Sequence, residues 1–168
     1  MFIICILFMP TSLLANQFKV TEIYDGDTIK VKGYGFELKV RLAGIDAPEI
    51  AKNKIGFRQR FSLEARDYLS DLILNKSIEI KSHGYLNIDL MLGTVFLDGK
   101  NINLEMLRAG LAEVYRGDPP KNLNLAPFFK AEKQSRAGKK GIWIQGDEYV
   151  SPRTWLERQR LKSACSII

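Results

Sequence analysis

Histidine and cysteine are nearly absent from this chain. His83 is its single histidine, and Cys5 and Cys165 are the two cysteines of 168 residues. Two thiols at opposite ends exclude a disulfide framework and a cysteine-built metal site. One histidine excludes the usual zinc site, which draws on several His and Cys side chains. Any metal here has to be held by oxygen. No apolar run reaches the roughly 20 residues of a membrane-spanning helix. Internal repeats and long linkers are missing too. What remains is a chain of one-domain length, too short for a TIM barrel. Its composition, 46% hydrophobic and 26% charged, excludes a disordered chain. Lys and Arg number 25 against 19 Asp and Glu, a net charge of +6. That excess makes polyanions candidate partners. A soluble protein with a merely positive surface fits the same figure.

Residues 1–15 carry no charged side chain and run Phe2-Ile3-Ile4-Cys5-Ile6-Leu7-Phe8-Met9, then Pro10, then Leu13-Leu14-Ala15. The stretch suits the apolar region of an export signal cleaved after Ala15, which predicts a secreted or periplasmic protein. Neither Lys nor Arg lies near Met1, and Leu13 is large for a position three before cleavage. An uncleaved membrane anchor is therefore the alternative. The expected division is a signal at 1–15, a folded domain at 16–146 and a helical extension at 147–168.

From Phe18 the pattern is β. Phe18–Tyr24 alternates apolar and polar residues, Asp25-Gly26 is a turn, and Thr28–Lys32 alternates again. Gly33-Tyr34-Gly35 reverses the chain into a third strand, Phe36–Leu42. Two further strands are expected at Ser77–Lys81 and Gly93–Leu97. Helices are expected from Ser62, as N-cap, to about Leu74; over Asn103–Ala109, stopped by Gly110; over Pro127–Ala137, stopped by Gly138; and from Ser151-Pro152, with Arg153, Arg158, Arg160 and Lys162. Five short strands with inserted helices suit an α+β, mainly β fold built on a small closed OB-fold barrel.

The residues with chemistry gather in this meander. Apolar pairing sets Ile29 against Val40 and Val31 against Leu38, with Tyr34-Gly35 as a two-residue loop. Asp27, before strand two, and Asp46, after strand three, then lie at the same end. Gly44 lets the chain bend so that the two carboxylates converge. Glu49 follows past Pro48, and Arg41 leaves the strand just before the bend. Hard carboxylate oxygens suit Ca²⁺ or Mg²⁺. A third carboxylate can hold an attacking water, and a planar guanidinium matches a phosphate in two-point contact. On spacing alone, turn-forming aspartates and a surface ion pair explain the same residues.

In order, Asp25-Gly26-Asp27-Thr28-Ile29, Val40-Arg41-Leu42-Ala43-Gly44-Ile45-Asp46-Ala47-Pro48-Glu49, Leu92–Lys100, Leu104–Ala112 and Gly141-Ile142-Trp143 resemble the thermonuclease family, the staphylococcal-nuclease-like proteins. The resemblance spans roughly Phe18 to Trp143. It implies an OB-fold barrel with three packed helices, here followed by the basic C-terminal helix. It also implies Ca²⁺-dependent endonucleolytic hydrolysis of DNA and RNA, leaving 3′-phosphate ends. Asp27 and Asp46 would be metal ligands, with the Ala47 backbone carbonyl as a third. Glu49 would orient or deprotonate the water, and Arg41 would bind the phosphate. Asp25 matches an acidic position beside the metal. The implied partners are the nucleic-acid substrates alone. A monomer is expected, touching a membrane only if residues 1–15 stay in place.

One position departs from the family pattern. Aligned on Leu92-Gly93, Leu90 stands where a second phosphate-binding arginine is expected and Asp89 where a glycine is. Losing such a cation from an anionic transition state costs about 10²–10⁴-fold in rate. Three readings follow. Another cation serves instead, with Arg58, Arg60, Lys81, His83 and Arg116 as candidates. The enzyme is slow. Or the domain is catalytically impaired and only binds nucleic acid. His83 is expected in a loop after its strand, and Arg116 near a site wall because it follows Val114-Tyr115. Lys52, Lys54, Arg58 and Arg60 form a basic loop, either solvated or a substrate clamp. Tyr115, like Tyr24 and Tyr34, either stacks a base or packs the rim. The basic C-terminal helix touches nucleic acid or an anionic membrane surface, or is simply solvated.

Overall fold

The computed structural model describes residues 17–50 and 58–165. The apolar stretch at 1–15, read as signal or anchor, lies outside them, as do Lys52 and Lys54. Among the described residues no helix is long and apolar enough to cross a membrane.

Alternating residues build the meander β1 (Gln17–Ile23), β2 (Thr28–Gly33) and β3 (Phe36–Leu42). Val20, Ile29, Val31, Val40 and Leu42 point inward and are fully or almost fully buried. Ile29 lies opposite Val40 and Val31 opposite Leu38, as the apolar pairing requires. Tyr34 and Gly35 both have positive φ, 51° and 83°, the mirror-image turn that suits the twist of a tight hairpin. The short β4 (Ile45–Asp46) follows the bend at Gly44, whose φ is 77°. After α1 (Ser62–Ile73) come β5 (Ser77–Asn87), β6 (Leu90–Leu97) and the short β7 (Lys100–Asn101). The sheet runs β3-β2-β1-β5-β6, and a parallel β3–β6 pairing closes it, with Arg41 beside Leu92. The expected α+β, five-stranded OB-type barrel is thus present.

The remaining elements pack around it: α2 (Ile102–Ala109), β8 (Glu113–Val114), α3 (Ala126–Ala137), a 3-10 segment at Gly141–Glu148 and α4 (Pro152–Cys165). The apolar faces of α1 (Ala65, Leu69, Ile73), α2 (Ile102, Met106, Leu107) and α3 (Phe128, Ala131) are buried against the barrel in one core. Trp143 is buried as expected, and its indole N–H donates to Ser135 Oγ at 3.1 Å.

Three expectations need correction. Ser62 does not cap α1: Phe61 holds the cap position with φ 69°, and no side chain bonds the first turn. Ser62 is instead the first helical residue, and its buried hydroxyl has no partner among the described residues. The second helix begins at Ile102, one residue early, because Asn101 caps it by accepting from the Leu104 amide at 3.1 Å. Finally, β5 runs six residues past Lys81, so His83 is on a strand and not in a loop. Lys81-Ser82-His83-Gly84 shows no apolar alternation because this stretch is largely solvent-facing, and it is held to β6 by main-chain pairing and by the His83 ring on the Thr94 hydroxyl rather than by apolar packing.

A buried asparagine locks the barrel closure next to the site. Asn103 has no exposed surface. Its Oδ1 accepts from the Val95 amide at 2.9 Å, while Nδ2 donates to the Ala43 and Gly93 carbonyls at 2.8 and 3.2 Å. Ala43 sits between Arg41 and Asp46, so this residue ties the bend to β6. Replacing Asn103 by Ala strands the Val95 amide and the Ala43 carbonyl, while Gly93 keeps its bond from the Ala43 amide, and costs about 2 kcal/mol. Urea unfolding monitored by circular dichroism reads that loss.

Candidate active site

The turn between β1 and β2 is drawn tightly onto the body of the protein. A Cβ on Gly26 would lie 2.7 Å from the Cβ atoms of both Ala47 and Ala65. Only glycine permits that approach, and it brings Asp25 and Asp27 beside the segment after β4. Asp25 Oδ1 accepts from the Asp27 amide at 3.0 Å. Asp27 is itself 2% exposed. Its Oδ1 accepts from the Thr28 hydroxyl at 2.9 Å, and its Oδ2 accepts from the Ala47 amide at 3.0 Å. Each carboxylate oxygen therefore has a fixed direction.

Arg41 crosses between the two strand ends. Its Nη2 lies 2.6 Å from Asp46 Oδ1 and 3.0 Å from Asp27 Oδ2. One nitrogen thus marks a point on which two carboxylates, 19 residues apart in the chain, converge. Asp46 is held on β4, which pairs with β8 so that Asp46 faces Glu113. The Glu113 carboxylate accepts from the Tyr149 hydroxyl at 2.8 Å. Burial raises both Glu113 and Tyr149, with the shared hydrogen bond opposing the rise in Glu113 and adding to that in Tyr149.

Asp46 and Glu49 open into a cleft of about 610 Å³ lined also by Arg41, Tyr115, Gly117, Asp118, Arg153, Leu156, Glu157 and Arg160. Tyr115 lies over the Gly117 main chain, where an added Cβ would stand 2.7 Å from its Cε1. Glu49 carries a carboxyl with no hydrogen bond or ion pair among the described residues, free to meet a small molecule. Burial first, and the Asp27 charge second, push Asp25, Asp46 and Glu49 each up to about 7. Arg41 pulls all three down but does not cancel those effects. The negative charge of Asp27 above all, then of Asp46, holds Arg41 protonated. A carboxyl poised near 7 beside a guanidinium is the tuning a general base needs at neutral pH.

The model of the staphylococcal nuclease homologue family matches residues 39–145. The chain belongs to this family. It is 30% identical over 151 residues to an uncharacterized endonuclease of Haemophilus influenzae, covering 89% of this chain and 78% of that protein. It is 31% identical over 143 residues to an uncharacterized endonuclease of Escherichia coli O157:H7, covering 84% and 85%. A micrococcal nuclease of Shigella flexneri is 30% identical over 157 residues, covering 87% and 82%. The family makes the chain a nuclease, a hydrolase whose substrate is nucleic acid. The match starts inside β3 and stops before Tyr149, so α4 lies beyond it.

The structure brings Asp27, Arg41, Asp46 and Ala47 into contact and sets Glu49 and Tyr115 on the same cleft. The Ala47 amide donates to Asp27. The five cations proposed to replace Leu90 lie elsewhere. Arg58 is exposed, and its main chain bridges to Ile50. Arg60 stacks over Phe61 at 5.4 Å and lies 3.9 Å from Glu148. Both line a separate hollow with Ser62, Glu64 and Asp67. His83 has both ring nitrogens engaged, with Asn122 Oδ1 and Thr94 Oγ1, each at 2.8 Å. Lys81 is exposed on β5 beside Thr94. Arg116 is turned toward α3, 2.6 Å from Glu132 Oε2 and over the Phe129 ring at 5.5 Å.

Two sets of residues were not singled out for the site from the sequence. Gln59 is buried and clamps Glu49 by its main chain. Its Oε1 accepts from the Glu49 amide at 3.1 Å, its own amide donates to the Glu49 carbonyl at 2.9 Å, and its Nε2 donates to the Val150 carbonyl at 2.7 Å. Nothing in the chain around Gln59 signals this. Replacing Gln59 by Leu leaves the Glu49 amide and the Val150 carbonyl unpartnered, loosening Glu49 and costing about 2 kcal/mol. We expect a roughly tenfold fall in kcat, as misplacement of a catalytic group costs up to about 10²-fold. The fall should persist in assays run well below the unfolding midpoint. The second set is Arg153 and Arg160, whose spacing of seven marks one helix face without saying what that face meets.

Proposed function

We propose that the protein is an exported, Ca²⁺-dependent endonuclease that hydrolyses DNA and RNA and leaves 3′-phosphate ends. The observation that carries this reading is the convergence of Asp27 and Asp46 on the Arg41 Nη2, with Glu49 opening into the same cleft as Arg41 and Asp46. The donor set fits a hard divalent cation: two carboxylate oxygens, with the remaining oxygens of the shell supplied by main chain, water and substrate. Among the described residues no group of three or more Asp, Glu, His or Cys side chains is gathered to hold a metal ion, so the reading rests on the two aspartates, with water and phosphate completing the shell. When bound, the cation would polarise the phosphoryl oxygens and favour the ionised form of the carboxylates that hold it.

The chain's own residues supply the rest. Arg41 presents a planar fork to the phosphate, giving two-point contact and offsetting charge that develops on its oxygens. Glu49, deprotonated, accepts a proton from the attacking water at its carboxylate. Asp25 and the Thr28 hydroxyl fix the turn that aims Asp27. The export part of the reading rests on the charge-free apolar stretch at 1–15.

The test is incubation of purified protein with DNA and with RNA, with Ca²⁺ and with excess chelator, followed by analysis of the ends. Chelator-sensitive cleavage giving 3′-phosphates supports the reading. Binding without cleavage at high enzyme concentration overturns it in favour of an impaired nucleic-acid-binding domain, the alternative that Leu90 motivates. Mass spectrometry of exported protein checks the N-terminus: a chain still beginning at Met1 rejects cleavage and favours the anchor.

A further inference from the structure

We propose that α4, beyond the family-matched residues, is a working wall of the cleft and that Arg160 grips a phosphate of the bound strand. This rests on the nuclease reading of the same cleft. Pro152–Cys165 forms a helix whose first turn is capped by Ser151, with its Oγ accepting from the Thr154 amide at 3.1 Å. The start of that helix is tied to the site at two adjacent residues. Val150 accepts the Gln59 side chain that also holds Glu49, and Tyr149 donates to Glu113, the β8 partner of Asp46. Tyr149 further packs on Trp143 with ring centroids 4.8 Å apart.

Fixed in this way, α4 presents Arg153, Leu156, Glu157 and Arg160 to the cleft that also contains Arg41, Asp46 and Glu49. Steps of three, four and seven residues place these four side chains on one helical face. The charges on that wall are not equivalent. Arg41 is gripped by Asp27 and Asp46. Arg153 lies 3.3 Å from Glu157. Among the described residues lining the cleft, Arg160 is the cation with no carboxylate within 4.0 Å. A guanidinium left without a carboxylate, facing a cleft whose opposite wall is acidic, is placed to meet an anion that enters between them. A phosphodiester phosphate next to the one on Arg41 meets that description, and Arg offers it a two-point contact. Leu90, where the family pattern leads one to expect a cation, carries none.

The test separates this grip from cleavage. Binding of a fluorescent single-stranded oligonucleotide to full-length Glu49→Gln protein is measured across a range of salt concentrations. Adding Arg160→Ala should weaken binding about tenfold at low salt and reduce the log–log salt slope by about 0.7, the loss of one phosphate contact. Arg158→Ala removes the same charge from an exposed position of α4 that does not line the cleft, and should leave the slope unchanged. In the protein with Glu49 intact, Arg160→Ala should lower kcat/KM about tenfold, with Arg160→Lys partly restoring it. An unchanged slope in Arg160→Ala, or an equal loss in Arg158→Ala, overturns the proposal. If wild type cleaves but Arg160→Ala keeps its slope, the grip fails while the nuclease reading stands. If wild type does not cleave but the slope falls, the grip stands and the nuclease reading fails.

Discussion

Glu49→Gln should reduce cleavage by about 10²–10⁴-fold, the usual contribution of a positioned general base. Folding and oligonucleotide binding should persist. The amide keeps the size of the side chain and cannot accept the proton of an attacking water. The main-chain clamp from Gln59 is indifferent to the change, because it holds the Glu49 amide and carbonyl. Wild-type kcat/KM should also rise with pH through about 7, since Glu49 is protonated below that value by burial and by the Asp27 charge. Bound Ca²⁺ would favour the ionised form and draw this limb toward lower pH, so a more acidic limb at saturating cation is expected. A single-turnover assay across pH 5 to 9 checks both statements. A wild-type rate in Glu49→Gln would remove Glu49 from the chemistry.

The acidic half of this site was legible because a strand register is arithmetic. Apolar alternation fixes Ile29 against Val40, and a two-residue loop leaves no freedom to slip. Asp27 and Asp46 then have to meet at one end of the meander. The basic half was not legible, and the reason is geometric. Val114-Tyr115-Arg116 placed Arg116 near a site wall, but adjacent side chains of an extended segment point to opposite sides. With Tyr115 facing the cleft, Arg116 faces α3 and Glu132. Arg58 and Arg60 are both exposed, while Gln59 between them is buried.

The C-terminal helix failed to declare itself for another reason. Its sequence shows a face, Arg153-Leu156-Glu157-Arg160, and a cap, Ser151-Pro152. Which neighbour that face meets is decided by Tyr149 and Val150, two residues of no distinctive type. Their partners, Glu113 and Gln59, are 36 and 91 residues away. Long-range hydrogen bonds of this kind leave no periodicity to read.

Arg41→Ala should both disable catalysis and make metal-free folding strongly dependent on pH. Removing a charge-stabilising group from the phosphate costs about 10²–10³-fold in kcat. It also leaves Asp27 and Asp46 facing each other without their guanidinium. Breaking a buried pair from one side costs about 3–5 kcal/mol, or roughly 10 °C in Tm for a domain of this size. The pH dependence has an unusual sign for carboxylates. Asp25, Asp46 and Glu49 titrate near 7 in the folded protein, above their ordinary values near 4. The folded state therefore binds more protons than the unfolded chain between those limits. The stability these groups contribute is complete below about pH 4 and is lost as pH rises through about 7. Without Arg41 their protonated forms are favoured further, so the deficit against wild type should be small near pH 5 and large at pH 8. Ca²⁺ should reverse it at pH 8, because a divalent cation held by Asp27 and Asp46 supplies the missing positive charge and stabilises the folded state in proportion to RT ln(1 + [Ca²⁺]/Kd). Thermal melts of wild type and Arg41→Ala at pH 5 and 8, with chelator and with millimolar Ca²⁺, test the whole chain of argument. A deficit equal at both pH values would show that Arg41 neutralises no buried carboxylate. A Tm at pH 8 that ignores Ca²⁺ in both proteins would show that the convergence of Asp27 and Asp46 is not a cation site.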